Sequence, residues 1–112
     1  MEVVFKSNKL RKKCNSLKEA QKKWGTRQGV LILRRLNEMM AAVNLRDLKL
    51  VHPRCHDLKG SRGGQWSVDL VHPYRLLFEP ANEPLPLLKD GGLDISQVTI
   101  VRILEVQDTH GH

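Results

Sequence analysis

The chain has 112 residues, of which 40% are apolar and 28% charged, with 19 Lys or Arg against 12 Asp or Glu. This length predicts a single domain over residues 1–112, and the composition excludes a disordered chain because enough apolar residues are present for one core. No apolar run approaches the roughly 18 residues of a membrane span and no signal peptide opens the sequence, so we expect a cytoplasmic protein with no membrane partner.

The positive charge is concentrated in the N-terminal third. Residues 1–35 contain eleven Lys or Arg against two acids, which gives this segment a formal net charge of +9. The remaining residues have a formal net charge of −2. Clustered cations favour a polyanionic partner, either a nucleic acid or an acidic protein surface, and a solvated helix face is the equally simple alternative. The candidates for RNA contact are Lys12, Lys13, Lys22 and Lys23.

The first half of the sequence predicts one strand and two main helices. Residues 2–5 are β-prone, and the helical spacing of apolar residues that follows predicts a first helix up to Trp24. Thr26 is expected to cap a second helix, whose apolar stripe reaches Val43. A short helical turn follows over residues 45–50 and ends before a proline.

In the second half of the sequence, polar and apolar residues alternate with the two-residue period of β-strands. Strands are predicted at 54–59, 65–70, 74–78 and 98–106. The glycines of residues 60–64 indicate a turn, and residues 80–97, with three prolines and two glycines, are predicted to form a loop excursion. The fold class is therefore α+β, with two N-terminal helices packed on one face of a small antiparallel sheet.

The sequence lacks the motifs of the common cofactor enzymes: it contains no phosphate loop, dinucleotide fingerprint, GxSxG elbow or HExxH helix. Two cysteines 41 positions apart predict neither a disulfide scaffold nor a zinc ribbon, and His110 and His112 lack partner ligands, so we expect no cofactor and no metal. Imidazole and cationic groups remain, and together they supply a base, an acid and charge stabilisation for phosphodiester cleavage. These residues are His56, Lys59, Arg62, Arg75, Asp108 and His110.

Three segments carry a resemblance to a known family. These are residues 56–67, which read His-Asp-Leu-Lys-Gly-Ser-Arg-Gly-Gly-Gln-Trp-Ser, then residues 74–78, and a closing Asp-x-His at 108–110. In this order they resemble the HigB branch of the RelE/ParE superfamily, the toxins of bacterial type II toxin–antitoxin systems. The resemblance implies a RelE/ParE-like fold and an endoribonuclease that cleaves translated mRNA at the ribosomal A site. It also implies neutralisation by a helix-turn-helix antitoxin, through which alone the protein would reach operator DNA.

The resemblance also implies the roles of individual residues. His56 matches an active-site histidine, Lys59 a phosphate-side lysine and Arg75 an arginine on the next strand. Asp108 and His110 match the C-terminal catalytic motif. His56 and His110 would serve as general base and acid in either order, and Arg62 would hold the RNA backbone.

The sequence departs from the family pattern at two positions. Thr109 stands where the family has tyrosine, so an aromatic group able to stack on a base is missing. Apolar Val71 stands where the family has a basic residue. These departures keep a rival prediction open. The rival is a non-enzymatic protein, either a ParE-like inhibitor of DNA gyrase or a degenerate toxin that acts only as antitoxin partner and co-repressor.

Overall fold

The computed structural model describes residues 1–108 of the chain and, for Ser61, the backbone only. In chain order its elements are β1 (Glu2–Phe5), α1 (Asn8–Cys14), α2 (Leu17–Trp24), α3 (Thr26–Ala41), α4 (Leu45–Val51), β2 (His56–Asp57), β3 (Trp66–Asp69), β4 (Tyr74–Pro80) and β5 (Ile100–Asp108). Two short 3-10 helices, Gly60–Arg62 and Ile95–Gln97, lie in the connections. None of the helices within residues 1–108 combines the length and hydropathy needed to cross a bilayer.

The five strands form one mixed sheet in the order β1-β5-β4-β3-β2. Strands β2 to β5 pair antiparallel with their neighbours, whereas β1 runs parallel to β5. The prediction of a purely antiparallel sheet is therefore wrong at β1, because the helices carry the chain from β1 to the far edge of the sheet before the hairpins return it. The apolar strand β5 lies between β1 and β4, in the central position that its sequence predicted.

One face of the sheet packs against the helices. The residues of β3, β4 and β5 that alternate onto this face are buried in a single core with apolar residues of α3 and α4. The strand residues of this core are Trp66, Val68, Leu76, Phe78, Val101 and Ile103, and the helix residues are Ile32, Leu36, Met39, Leu45 and Leu48. We call this side of the sheet the helix face.

The first predicted helix is two helices, which corrects the prediction of two N-terminal helices to three. Ser7 caps α1 by accepting a hydrogen bond from the Leu10 amide at 3.1 Å. Ser16 then caps α2 by accepting a hydrogen bond from the Glu19 amide at 3.3 Å, so a new helix begins there. The helical spacing of apolar residues continues across this boundary. The spacing of apolar residues therefore did not indicate the boundary between the two helices.

Helices α2 and α3 form a close antiparallel pair. Gly25, at φ 98°, provides the left-handed turn between them. At Gly29 the two backbones approach so closely that a Cβ atom would lie 2.6 Å from the backbone nitrogen of Gln21. A glycine is therefore required at position 29 for this helix pair.

Polar contacts fix the helices to the hairpin of β3 and β4. The Gln28 side chain accepts a hydrogen bond from the Val71 amide at 2.8 Å, and Arg35 Nε donates to the Asp69 carbonyl at 2.8 Å. On α4, the ammonium group of Lys49 lies 5.6 Å from the centre of the Trp66 ring and donates to the Cys55 carbonyl. Trp66 is thereby held in the core, as its alternation with polar neighbours predicted.

The predicted loop excursion is an ordered hairpin. Leu87 and Leu93 form an isolated bridge, and the Asp94 amide donates to the Pro86 carbonyl at 2.9 Å. Asn82 anchors the base of the excursion, because its side-chain oxygen accepts hydrogen bonds from the amides of Thr99 and Ile100.

Candidate functional site

The second face of the sheet, which we call the polar face, carries most of the predicted site residues. Strand register and alternation assign its positions. They are His56 on β2, Ser67 and Asp69 on β3, Arg75 and Leu77 on β4, and Glu105 and Gln107 on β5.

The centre of the polar face is a cluster of two arginines that share one carboxylate. Arg54 Nε donates to Asp69 Oδ2, and Arg75 Nη2 lies 2.9 Å from Asp69 Oδ1. Arg75 also donates through Nη1 to the hydroxyl oxygen of the buried Ser67 at 2.7 Å. The cluster Arg54–Asp69–Arg75 therefore carries a net charge of +1.

His56 adjoins this cluster. It pairs in register with Ser67, the residue that accepts from Arg75. His56 Nδ1 lies 2.7 Å from the Arg54 carbonyl oxygen, and because a carbonyl only accepts, Nδ1 is the nitrogen that donates. The neutral ring consequently carries its proton on Nδ1 and presents the lone pair of Nε2. The side chain is exposed, so Nε2 is accessible to a substrate.

A second ion pair crosses the polar face. Arg62, in the 3-10 helix at the β2 edge, lies 3.3 Å from Glu105 on β5. Strands β3 and β4 lie between these two residues, and Leu77 is the register partner of both Ser67 and Glu105. Glu105, the residue that Arg62 contacts, is the register neighbour of Leu77, which is fully buried although it faces away from the helices. This arrangement brings a further guanidinium group to the side of the sheet that carries His56.

The remaining catalytic candidates lie elsewhere. Lys59 is 89% exposed in its side chain and lies 3.7 Å from Asp57, which alternates onto the helix face. Asp108 is exposed at the end of β5, where register with Tyr74 assigns it to the helix face, while its neighbour Gln107 pairs with Arg75. His110 and Thr109 lie outside the described residues. The structure thus brings His56, Arg62 and Arg75 together and leaves Lys59 and Asp108 apart from them.

The four lysines predicted to contact RNA lie on the helical layer. Lys12 and Lys13 are in the last turn of α1, and Lys22 and Lys23 in the last turn of α2. Lys13 forms an ion pair with Glu19 at 3.2 Å, and Lys23 lies over the ring of Trp24. The basic helices and the polar face are on opposite sides of the sheet, so these two sets of cations form separate surfaces.

The sequence reasoning did not identify Arg54, Ser67 and Asp69 as members of the site. The alternation of β3 places Ser67 and Asp69 on one face, and this signal was read only as a sign of a half-buried strand. Arg54 gains its role through the fold, because its partner Asp69 is 15 positions away.

The cysteine thiols and the potential metal ligands of residues 1–108 are the other groups with reactive side chains. Burial raises the pKa of Cys55 to about 11, although the nearby charges of Lys49 and Arg75 lower it, so this thiol next to His56 is protonated near neutral pH. Within this described part of the chain, no group of three His, Cys, Asp or Glu side chains has an arrangement that could hold a metal ion.

Comparison with known proteins does not assign the site. No protein-family model matches the chain, and no curated protein resembles it at a significant level.

Proposed function

We propose that this protein is the toxin of a type II toxin–antitoxin pair with a RelE/ParE-like fold, an endoribonuclease that cleaves translated mRNA in the cytoplasm. The observation that carries the proposal is the polar-face cluster, in which an accessible imidazole adjoins two arginines that share one carboxylate. A surplus positive charge beside a candidate base is the arrangement that a phosphodiester substrate requires.

In this mechanism His56 acts as the general base. Its Nε2 accepts the proton of the substrate's own 2′-OH, the 2′-oxygen attacks the adjacent phosphorus, and the bond from phosphorus to the 5′-oxygen breaks. The products are a 2′,3′-cyclic phosphate and a free 5′-OH. The departing 5′-oxygen takes a proton from a general acid, the role that is left to His110 once His56 is the base. No step needs a metal or a cofactor.

Cations stabilise the charge that develops on the phosphate. Arg75 is held against the sheet by Ser67 and Asp69, and the exposed Arg54 shares the same carboxylate. The substrate phosphate competes with Asp69 for these donors and accepts from both guanidinium groups. Arg62 contacts the RNA backbone, Lys59 approaches from the rim, and Asp108 orients the His110 imidazole or the substrate.

The separation of the two cationic surfaces divides the proposed partners. The polar face binds the mRNA, and the basic helices α1 and α2 bind ribosomal RNA on the other side of the sheet. A helix-turn-helix antitoxin neutralises the toxin and is its link to operator DNA.

A specific observation favours a second candidate. Arg75 is engaged by Ser67 and Asp69 and its side chain is only 15% exposed, Lys59 is an exposed side chain beside Asp57, and register assigns Asp108 to the helix face. These features fit a chain that has lost nuclease function and acts without catalysis, as a ParE-like gyrase inhibitor or as an antitoxin partner and co-repressor.

Induced expression in a bacterial host, followed by mapping of mRNA 5′ ends, tests the proposal. We expect the parental chain to cleave translated mRNA, and His56→Ala to lower the cleavage rate about 10²- to 10⁴-fold, the usual contribution of a general base. Arg75→Lys should keep the fold and lose much of the cleavage, because lysine cannot reproduce the planar, two-pronged donation of a guanidinium group. Arg46→Lys, which changes an exposed arginine of α4, is its matched control and should cleave normally.

The two candidates give opposite results in this experiment. Growth arrest that persists in His56→Ala, with inhibition of gyrase supercoiling and no new mRNA ends, would establish the non-enzymatic alternative. Circular dichroism of each variant separates loss of chemistry from loss of fold.

A further inference from the structure

The helical layer carries an apolar groove that the proposed nuclease function does not use. Two adjoining cavities of about 490 and 410 Å³ lie along the outer side of α3. The first lies between α3 and the start of α2 and is lined by Leu17, Val30 and Leu33. The second lies between α3 and α4 and is lined by Leu50 and Val51. Both cavities share Glu38 and Ala41, so they form one continuous groove.

Large apolar side chains in this groove remain in contact with solvent. Leu17 is 48% exposed, Val30 39%, Leu50 72% and Val51 65%. Single exposed apolar residues are ordinary on a protein surface, but a contiguous row of them along a groove marks a site where another molecule binds. From Val30 to Ala41 the α3 portion is about 16 Å long, the length of three helical turns.

Charges at the α2–α3 end of the groove select an occupant that is acidic there, whereas Asp47 lines the α4 end. Glu38 accepts from Arg35 at 2.8 Å and lies 3.1 Å from His52, so its charge is compensated within the protein. Arg34 lines the groove, and Arg27 lies two turns earlier on the same stripe of α3. Neither arginine forms an ion pair with any residue in the range 1–108, which leaves the α2–α3 end of the groove positively charged.

We propose that this groove is a docking site for an acidic amphipathic helix of a partner protein. The apolar stripe of the helix covers Leu17, Val30 and Leu33, and flanking carboxylates pair with Arg27 and Arg34. Nucleic acid is a poorer occupant because most of the lining is apolar and the carboxylates of Glu38 and Asp47 lie in it. A second copy of this chain is the other candidate occupant, and the experiment below distinguishes it from a partner helix. The inference stands independently of the proposed nuclease function.

A pair of designed peptides tests the groove directly. The first is an amphipathic helix of about 16 residues with a leucine stripe flanked by glutamates, and the second has lysines in place of the glutamates. We expect the full-length protein to bind the glutamate peptide in fluorescence anisotropy and to prefer it over the lysine peptide. Amide shifts in NMR spectra should map to Val30, Arg34 and Val51.

Protein variants then assign the contacts. Val30→Asp should weaken binding of the glutamate peptide about tenfold or more, the effect of losing one buried aliphatic contact. Arg34→Glu should reverse the preference between the two peptides. Leu87→Asp, at an exposed leucine of the excursion outside the groove, is the matched control and should bind like the parent.

Three results would overturn the inference. One is absence of binding by the glutamate peptide, or equal binding of both peptides by the parental protein. Another is a dimer in sedimentation experiments that Val30→Asp dissociates, which would make a second copy the occupant. The third is displacement of groove amides by an RNA oligonucleotide, which would make this surface a nucleic-acid site.

Discussion

Asp69 organises more of the polar face than any residue predicted for it. Its carboxylate holds Arg54 and Arg75, and its backbone carbonyl accepts from Arg35 of α3 on the other side of the sheet. The same residue therefore joins the candidate site to the helical layer. Replacing it would release two arginines and loosen a helix contact, so His56 is the better position at which to test chemistry alone.

The two cysteines are predicted to be inert in the folded protein. Burial raises the pKa of Cys14 and that of Cys55 to about 11. Near neutral pH the thiolate fraction is then about a hundredfold lower than at the ordinary pKa, and both side chains are inaccessible. Iodoacetamide should label neither cysteine in the native protein and both after denaturation, as measured by mass spectrometry. Rapid labelling of the native chain would contradict the buried placement.

Protonation of Glu38 in acid is predicted to lower the stability of the folded protein. Burial raises the pKa of this carboxyl, but the hydrogen bond from Arg35 and the His52 ring 3.1 Å away outweigh that effect, so the pKa is lowered overall. A lowered folded-state pKa favours the ionised form, so its stabilisation is complete above the ordinary glutamate pKa of about 4.3 and is lost as the pH falls through the lowered value.

Urea denaturation at neutral and acid pH measures this effect. The parental protein should lose more stability than Glu38→Gln when the pH falls from about 6 to about 3, because the variant has no carboxylate to protonate. Glu83→Gln, at an exposed glutamate of the excursion, is the matched control and should follow the parent. Identical acid losses in the parent and Glu38→Gln would show that this ion-pair cluster does not stabilise the fold.

At the scale of elements, the contact of α2 with α3 depends on Gly29. Gly29→Ala places a methyl group 2.6 Å from the Gln21 backbone nitrogen, and backbone cannot move aside without separating the helices. Overpacking of this kind costs about 1–3 kcal/mol, which exceeds the gain of about 1 kcal/mol in helix propensity. We expect net destabilisation and a melting temperature lower by several degrees, measured by thermal unfolding.

A second glycine supplies the control for that substitution. Gly63 has a negative φ of −51°, and a Cβ there would meet only the Gly60 carbonyl oxygen at 3.4 Å. Gly63→Ala should therefore change stability by no more than about 0.5 kcal/mol. An equally small effect of Gly29→Ala would mean that the two helices are farther apart than described.

The sequence predicted elements well where one local signal dominated. The apolar run of β5, the alternation of β3 and the helical stop before Pro53 all lie within two residues of the predicted positions. Other features depend on distant partners. Strand β2 is only two residues long because its pairing with β3 ends at the glycine turn. The parallel pairing of β1 with β5 joins residues about 100 positions apart and leaves no local signal.

The residues of the candidate site were likewise predictable only in part. His56, Arg62 and Arg75 were found from residue type and from the family resemblance, and the fold brings them to one side of the sheet. The contribution of Asp69 was missed because a carboxylate among cations was not expected in an anion site. The resemblance grouped Lys59 and Asp108 with them, whereas Lys59 lies outside the strands beside Asp57 and strand alternation assigns Asp108 to the helix face.

At the scale of the whole molecule, the net charge of +9 in residues 1–35 belongs to the helical layer, while the candidate base lies beyond the sheet. This separation predicts that binding to a large polyanion and cleavage chemistry respond to different substitutions. Lys12, Lys22 and Lys23 are exposed and form no ion pair with the described residues 1–108. Their counterion release should contribute to ribosome affinity, and His56 should not.

The triple variant Lys12→Glu, Lys22→Glu, Lys23→Glu tests that separation. Each phosphate contact contributes about 0.7 to the slope of log affinity against log salt for single strands, so losing three should reduce the slope by about 2. Ribosome association measured by sedimentation across a salt series gives this slope. Arg46→Glu with Lys89→Glu, on α4 and the excursion, controls for a general loss of positive charge, with two charge reversals against three, and His56→Ala should retain the parental slope. If the lysine variant also retained it, the basic helices would be a solvated face, and the polar-face arginines would have to account for any polyanion binding.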